Sequence, residues 1–345
     1  MAVAIAEGLI GAALAILTLR DFFTTVVVPG ESRGPLRLSR RFIFLSLPLW
    51  RRIGRGPGIP TSFAPVMLMA SFVGWMLLLT IAFGLMIHSL SNSFEPPIDG
   101  LGRALYVAGA SMATIGFGTA EPVGLARWVI VSAGFCGLAV MTLAVTYILE
   151  VRQGVAQRDA GILKLTTTAG HPPSAIALFE RYADLGCRQE LHRLLRDGRN
   201  WCASIHETHT EHPSLIYFRS IGTGTGWPAA LGALMDLALI MDIVVDVKES
   251  RALAVLLREE GNRMLKGVSE LIGLQPLPRP LSAADVNVLL DRLGAAAFAT
   301  RDSFDRDAFI RFRRQHAETI AALAQHLGTL EAPLIPDEAG RIGRR

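Results

Sequence analysis

The chain has 345 residues, 51% of them apolar and 19% charged, with a mean hydropathy of +0.39. That is too apolar for an ordinary soluble protein, and the excess is concentrated ahead of Arg152. The formal charge of +4 is mild and forms no basic stripe, which excludes the usual kind of nucleic-acid binder.

Residues 2–28 are the first apolar segment, interrupted by Arg20-Asp21 and ending at Pro29-Gly30. A membrane span needs about 20 predominantly apolar residues, so this segment spans if the charge pair is tolerated near an interface. Arg20 can snorkel there, and Asp21 can neutralise it or find a partner. An interfacial or partly re-entrant helix is the alternative. The segment lacks a basic start and a small-residue cleavage site, so it does not read as a cleavable signal peptide.

Residues 30–62 hold seven arginines (Arg33, Arg37, Arg40, Arg41, Arg51, Arg52, Arg55) against one acid, Glu31. Within them Phe42 to Trp50 is apolar and flanked by arginine, the pattern of a helix lying in the headgroup plane. Short arginine-rich loops stay on the cytoplasmic side, which places the N-terminus outside. Val66 to His88 contains no Asp, Glu, Lys or Arg and covers about 35 Å as a helix, enough to span. A polar outer loop follows at 89–101, with Glu95 and Asp99. Arg103 to Ala113 is apolar and small, long enough for half a membrane only. The chain returns through Glu121-Pro122, and Arg127 to Leu149 forms the last uncharged span, ending at Glu150.

From Arg152 the composition becomes that of a soluble helical protein. Helical patterns cover 173–197, 227–272, 282–298 and 303–328, with breaks at 170–173, 212–213 and 275–280. Ala229 to Val245 is unusually apolar but carries Asp236 and Asp242, so it reads as a buried soluble helix rather than a fourth span. Cys136, Cys187 and Cys202 are scattered and suggest no disulfide framework, which fits a soluble part in a reducing compartment. The domain reading is an N-terminal membrane helix (1–30), an Arg-rich linker (31–62), a pore-like unit (63–151), a helical domain (152–331) and a disordered tail (332–345).

Between the second and third spans lies Thr114-Ile115-Gly116-Phe117-Gly118, which closely resembles the Thr-Val-Gly-Tyr-Gly selectivity filter of the potassium channel family. In that family four such loops line one pore, and their carbonyls replace the hydration shell of the ion. The resemblance covers roughly residues 63–151. It implies an all-α membrane protein with a potassium-channel-like pore, one filter per chain and hence a homotetramer. It also implies that Thr114, Ile115, Gly116, Phe117 and Gly118 bind potassium ions. Phe117 stands for the usual Tyr and Thr119 for the usual Asp; Glu121 is close enough to supply an acid at the outer mouth. Gly134 and Gly137 lie where the family's gating hinge occurs, although close packing by small residues would explain them equally.

Two further patterns lie after the pore. Gly222-Thr223-Gly224-Thr225-Gly226 follows Leu215-Ile216-Tyr217-Phe218 and mimics a strand–glycine–helix nucleotide site, but Trp227 occupies the third glycine position and a loop is the plainer reading. Cys202, His206, His209 and His212 cluster with Glu207 and Glu211, and His-Glu-Thr-His is one residue short of a zinc-protease helix; His206 and His209 could still share a helical face and bind a metal, with His212 beside them, and a solvated polar helix end is the alternative. His212 to Ser220 (His-Pro-Ser-Leu-Ile-Tyr-Phe-Arg-Ser) also resembles stretches in the cytoplasmic domains of some bacterial two-helix channels. The sequence therefore predicts a passive potassium channel of the cell (inner) membrane, not an enzyme. No cofactor is expected beyond pore ions; membrane lipids are the expected surroundings, nucleic acid is not a partner, and the helical domain is cytoplasmic. No regular arginine ladder lies on a membrane helix, so voltage sensing of the usual kind is not expected. The alternatives are a poorly selective monovalent cation channel and, from another class, a membrane-anchored metal-binding sensor or enzyme.

Overall fold

The computed structural model describes residues 1–28, 41, 45, 46, 48, 61–116, 120–220 and 226–336. The Arg-rich linker, its interfacial helix at Phe42–Trp50, and residues 337–345 of the expected tail lie largely or wholly outside them.

Helix α1 runs unbroken over Ala2–Val26, through Arg20-Asp21. Its buried positions, Gly11, Ala15, Thr18, Asp21 and Phe22, recur at helical spacing and form one face. That face packs antiparallel on α2 (Phe63–Ser89). Near the start of α1, Glu7 pairs with His88 Nδ1 at 2.7 Å. One turn on, Gly11 approaches the Ala82 carbonyl so closely that a Cβ would lie 2.6 Å from it. Near its end, the Trp75 indole donates to the buried Asp21 carboxylate at 3.0 Å, and Phe22 meets Trp75 edge to face. The opposite face of α1 exposes Leu9, Ile16 and Phe23. A buried carboxylate in this segment thus has a donor, which lets the helix carry Asp21 at membrane depth.

After α2, a short 3₁₀ turn (Ser91–Ser93) leads into strand β1 (Phe94–Glu95). Helix α3 occupies Gly100–Met112, starting a little earlier than the sequence suggested. Strand β2 (Glu121–Pro122) pairs antiparallel with β1. Helix α4 then runs from Leu125 to Ala169 without a break. The sequence places the end of that span at Glu150, because composition changes there; hydrogen bonding along the backbone does not require apolar side chains, and the helix continues.

The chain divides into two compact units, with the boundary in α4 between Arg152 and Gln153; Phe63, the first residue of α2, falls in the second unit. The second unit contains α5 (Ala175–Asp184), α6 (Glu190–Glu211), α7 (Trp227–Leu239), α8 (Lys248–Ile272), α9 (Ala283–Ala295) and α10 (Arg306–Leu327). The single helical pattern expected at 173–197 is two helices, α5 and α6, because the chain turns at Gly186 with φ +67°. The pattern at 227–272 is likewise split, by a π-helical turn at Ile240–Val244 and an extended Val245. Every residue of α7 is buried, so this apolar helix is the core of the unit. With the π-helical turn that follows, the helical stretch Trp227–Val244 is long and apolar enough to cross a membrane, but 94% of it is covered by protein. Inside this core Asp236 accepts two hydrogen bonds from Arg313 at 3.0 Å each and one from His316 at 2.9 Å. The described part of the expected tail is packed, with Leu334 buried and its carbonyl accepting from Ser174 at 3.3 Å.

Candidate functional site

Helix α3 is 13 residues long, about 20 Å, too short to cross the apolar core. It is wedged between α2 and α4 by close approaches at small residues. On the α2 side, a Cβ at Gly84 would lie 2.5 Å from Leu105, and the Thr80 methyl sits 3.6 Å from a Cβ position at Gly109. On the α4 side, a Cβ at Gly137 would overlap the Met112 carbonyl oxygen. Close packing therefore requires glycine at 137, whatever bending it also permits. At Gly134 the nearest atom is the Ser111 carbonyl oxygen at 3.6 Å, an ordinary contact.

The helix ends at Met112, and the following amides fold back upon it. Thr114 N–H donates to Ser111 at 3.0 Å, and Ile115 N–H to Ala110 at 2.9 Å. Thr114 has φ +56° and Gly116 φ +71°, both in the left-handed region. For a β-branched threonine that conformation is strained, and such strain concentrates at functional sites. Thr114, Ile115 and Gly116 are exposed in the single chain, Ile115 at 56%. Among the described residues, none donates a hydrogen bond to their carbonyls. Non-helical backbone at membrane depth must be covered by protein or line a water-filled path. The C-terminal end of α3 directs the negative end of its dipole toward this segment, which favours a cation beside it. Phe117, Gly118 and Thr119 lie outside the described residues.

The β1–β2 ladder sets Glu95 directly opposite Glu121, both exposed. Two acids are thereby held next to the exit from the loop, where like charges repel unless a cation neutralises them.

The histidine cluster does not converge, and its helix end is not simply solvated. His209 is buried on α6; its Nδ1 donates to the Ile205 carbonyl at 2.9 Å, and its ring lies 5.4 Å from that of Trp227. Burial, with the nearby Arg158 charge, pushes the imidazole down to about 3, so it is neutral at physiological pH. His206 instead faces Glu260 at 3.6 Å, and His212 follows the last residue of the helix. Burial pushes the Cys202 thiol well up. Among the described residues no group of three His, Cys, Asp or Glu side chains could hold a metal ion. Of the glycine run, Gly222–Thr225 lies outside the described residues. The segment before it, expected to mimic a strand, is a 3₁₀ turn at Pro213–Tyr217.

Three interactions had no local signal in the sequence: the Asp21–Trp75 bond, the Asp236–Arg313–His316 triad, and a buried arginine, Arg158. The sequence marked Asp21 and Asp236 as charges in apolar helices but named none of the partners, and it did not single out Arg158.

Residues 75–153 match the model of a family described as an ion channel. No curated protein and no solved structure matches the chain. The matched stretch takes in most of α2, the whole of α3, the loop after it, and the part of α4 in the first unit. The resemblance to the potassium channel family holds over this stretch, and with its long apolar helices the chain is a multi-pass membrane protein with an ion-channel domain.

Proposed function

We propose that the protein is a homotetrameric, potassium-selective channel of the inner membrane, conducting passively through Thr114–Gly118 and gated by a signal at a cytoplasmic helical domain. One observation carries this reading: a half-membrane helix, held between two spanning helices, delivers a strained and exposed Thr-Ile-Gly backbone inside a matched ion-channel segment. Four copies would cover that backbone from lipid and bring their carbonyls to one axis. An apolar stripe on α4 (Trp128, Val131, Phe135, Leu138, Val145 and Leu149) is exposed in the single chain and supports self-association. Glu95 and Glu121 would concentrate cations at the outer mouth.

The test is potassium flux in liposomes, with the reversal potential measured under a potassium/sodium gradient. A reversal potential near the potassium equilibrium value is expected. One near zero would favour the second reading, a poorly selective cation channel, which the sequence departures at Phe117 and Thr119 favour. Absence of any flux from assembled protein would sink both.

A further inference from the structure

Helix α4 is 45 residues long, about 68 Å, whereas a membrane core takes up roughly 30 Å. The portion in the second unit carries Arg158, whose side chain is completely buried. Its guanidinium reaches a segment some sixty residues later in the chain. Nη1 donates to the Leu215 carbonyl at 3.1 Å, and Nη2 to the Phe218 carbonyl at 2.8 Å and the Ser220 hydroxyl at 3.3 Å. Nε donates to Asp159 at 3.2 Å, and Ser220 closes the ring by donating to the same carboxylate at 2.5 Å. The Arg158 backbone is held too: the Trp201 indole donates to its carbonyl at 3.0 Å.

The segment thus gripped is the latter part of His212–Ser220, the motif left without a role by the pore. It is wound into a 3₁₀ turn, with Leu215, Ile216 and Tyr217 buried. Tyr217 in turn stacks edge to face on Phe63 at 6.1 Å. Phe63 is the first residue of α2. One short segment therefore contacts α4 at Arg158 and Phe63, the first residue of α2, through Tyr217, all within the second unit.

Stability alone does not explain a buried arginine here. Replacing a buried ion pair with well-packed apolar groups is often neutral or stabilising, because desolvation offsets the attraction. What the guanidinium provides is geometry: a rigid fork that fixes two carbonyls and a hydroxyl at set distances from the α4 axis. Lysine carries three donors on one nitrogen at the end of a flexible stem and cannot match the spacing of a planar fork.

We propose that Arg158 is a positioning residue for gating: by clamping the 212–220 segment to the second-unit part of α4, the helix whose earlier turns belong to the pore segment, it sets the balance between open and closed states. The proposal rests on the channel reading above. A displacement of the 212–220 segment would be passed to α4 through the guanidinium.

The test uses the full-length protein in planar bilayers, comparing wild type with Arg158→Lys and Ser220→Ala. Open probability, single-channel conductance and reversal potential are read for each. Both variants should shift open probability in the same direction, by about 2- to 30-fold, the range found for substitutions along coupling networks. Conductance and reversal potential, which report the filter, should stay at wild-type values. Unchanged open probability in both assembled variants would overturn the proposal, even if their thermal stability fell. A change in conductance or selectivity would overturn it as well, by assigning the residue to the pore structure. Should Arg158→Lys fail to assemble, Ser220→Ala decides alone, since it removes one hydroxyl and keeps the buried charge paired. Wild-type protein that passes no current would instead refute the channel reading, and this proposal with it.

Discussion

Gly137→Ala separates packing from bending in α4. In the structure an alanine Cβ there would overlap the carbonyl oxygen of Met112 and lie 2.7 Å from its Cα. The obstacle is backbone, so no side-chain rotation relieves it; α3 or α4 must shift. Overpacking of this kind costs about 1–3 kcal/mol, roughly a 5- to 150-fold change in an equilibrium constant. Alanine also gains up to about 1 kcal/mol in helix propensity over glycine, which offsets only part of that loss. At Gly134 the same substitution meets only an ordinary contact at 3.6 Å, so the propensity gain stands unopposed. Thermal melts of the detergent-solubilised protein, with liposome flux, should therefore rank Gly137→Ala below wild type and Gly134→Ala at or above it. The displaced Met112 is two residues from Thr114, so flux should fall with stability at 137. If Gly137→Ala melted like wild type and altered only the opening rate, the packing account would be wrong and a hinge right.

Other outcomes follow from single residues. Gly116→Ala meets no atom within 4 Å in one chain, but at φ +71° it carries about 1–2 kcal/mol of backbone strain; flux should vanish while the protein still assembles. Asp236→Asn leaves Arg313 without its anionic partner and should cost about 3–5 kcal/mol in denaturant unfolding of the second unit. Burial alone would raise the Asp236 carboxyl, but Arg313 and His316 hold it below its ordinary value. Its stabilising contribution is therefore complete above the unfolded carboxylate range near 4 and is lost as pH falls through the lower folded value. His209 acts at a higher pH. It charges near 6.5 when unfolded and only at about 3 when folded, so protonation favours the unfolded chain throughout that interval. Stability should fall as pH drops from about 6.5 toward 3, and His209→Gln should flatten that slope. Finally, Asp21→Ala removes the acceptor of the Trp75 indole and should loosen α1 from α2, read as a lower melting temperature of the detergent-solubilised protein.

The alternation of apolar runs and charged breaks determined much of this protein. Uncharged lengths identified α2 and the membrane part of α4, because a lipid core tolerates little else, and they bracketed a helix too short to span. The Thr-Ile-Gly-Phe-Gly motif supplied the ion-conduction reading, since glycines at alternating positions allow a backbone that other residues reach only with strain. Boundaries in the second unit were read less well. Gly186 and the π-helical turn at Ile240–Val244 break helices whose apolar periodicity continues across the break. The continuation of α4 to Ala169 was hidden because composition reports the surroundings of a helix and not its hydrogen bonding.

What only the tertiary structure decided is which polar groups meet. Asp21 and Trp75 are 54 residues apart, Asp236 and Arg313 are 77, and Arg158 reaches Phe218 across 60. Each pairing fixes a buried charge, whose cost depends wholly on a partner brought in by folding. The sequence shows that such charges interrupt apolar helices. Packing decides whether each one is satisfied, and at Arg158 it fixes the second-unit part of α4 to the 212–220 segment.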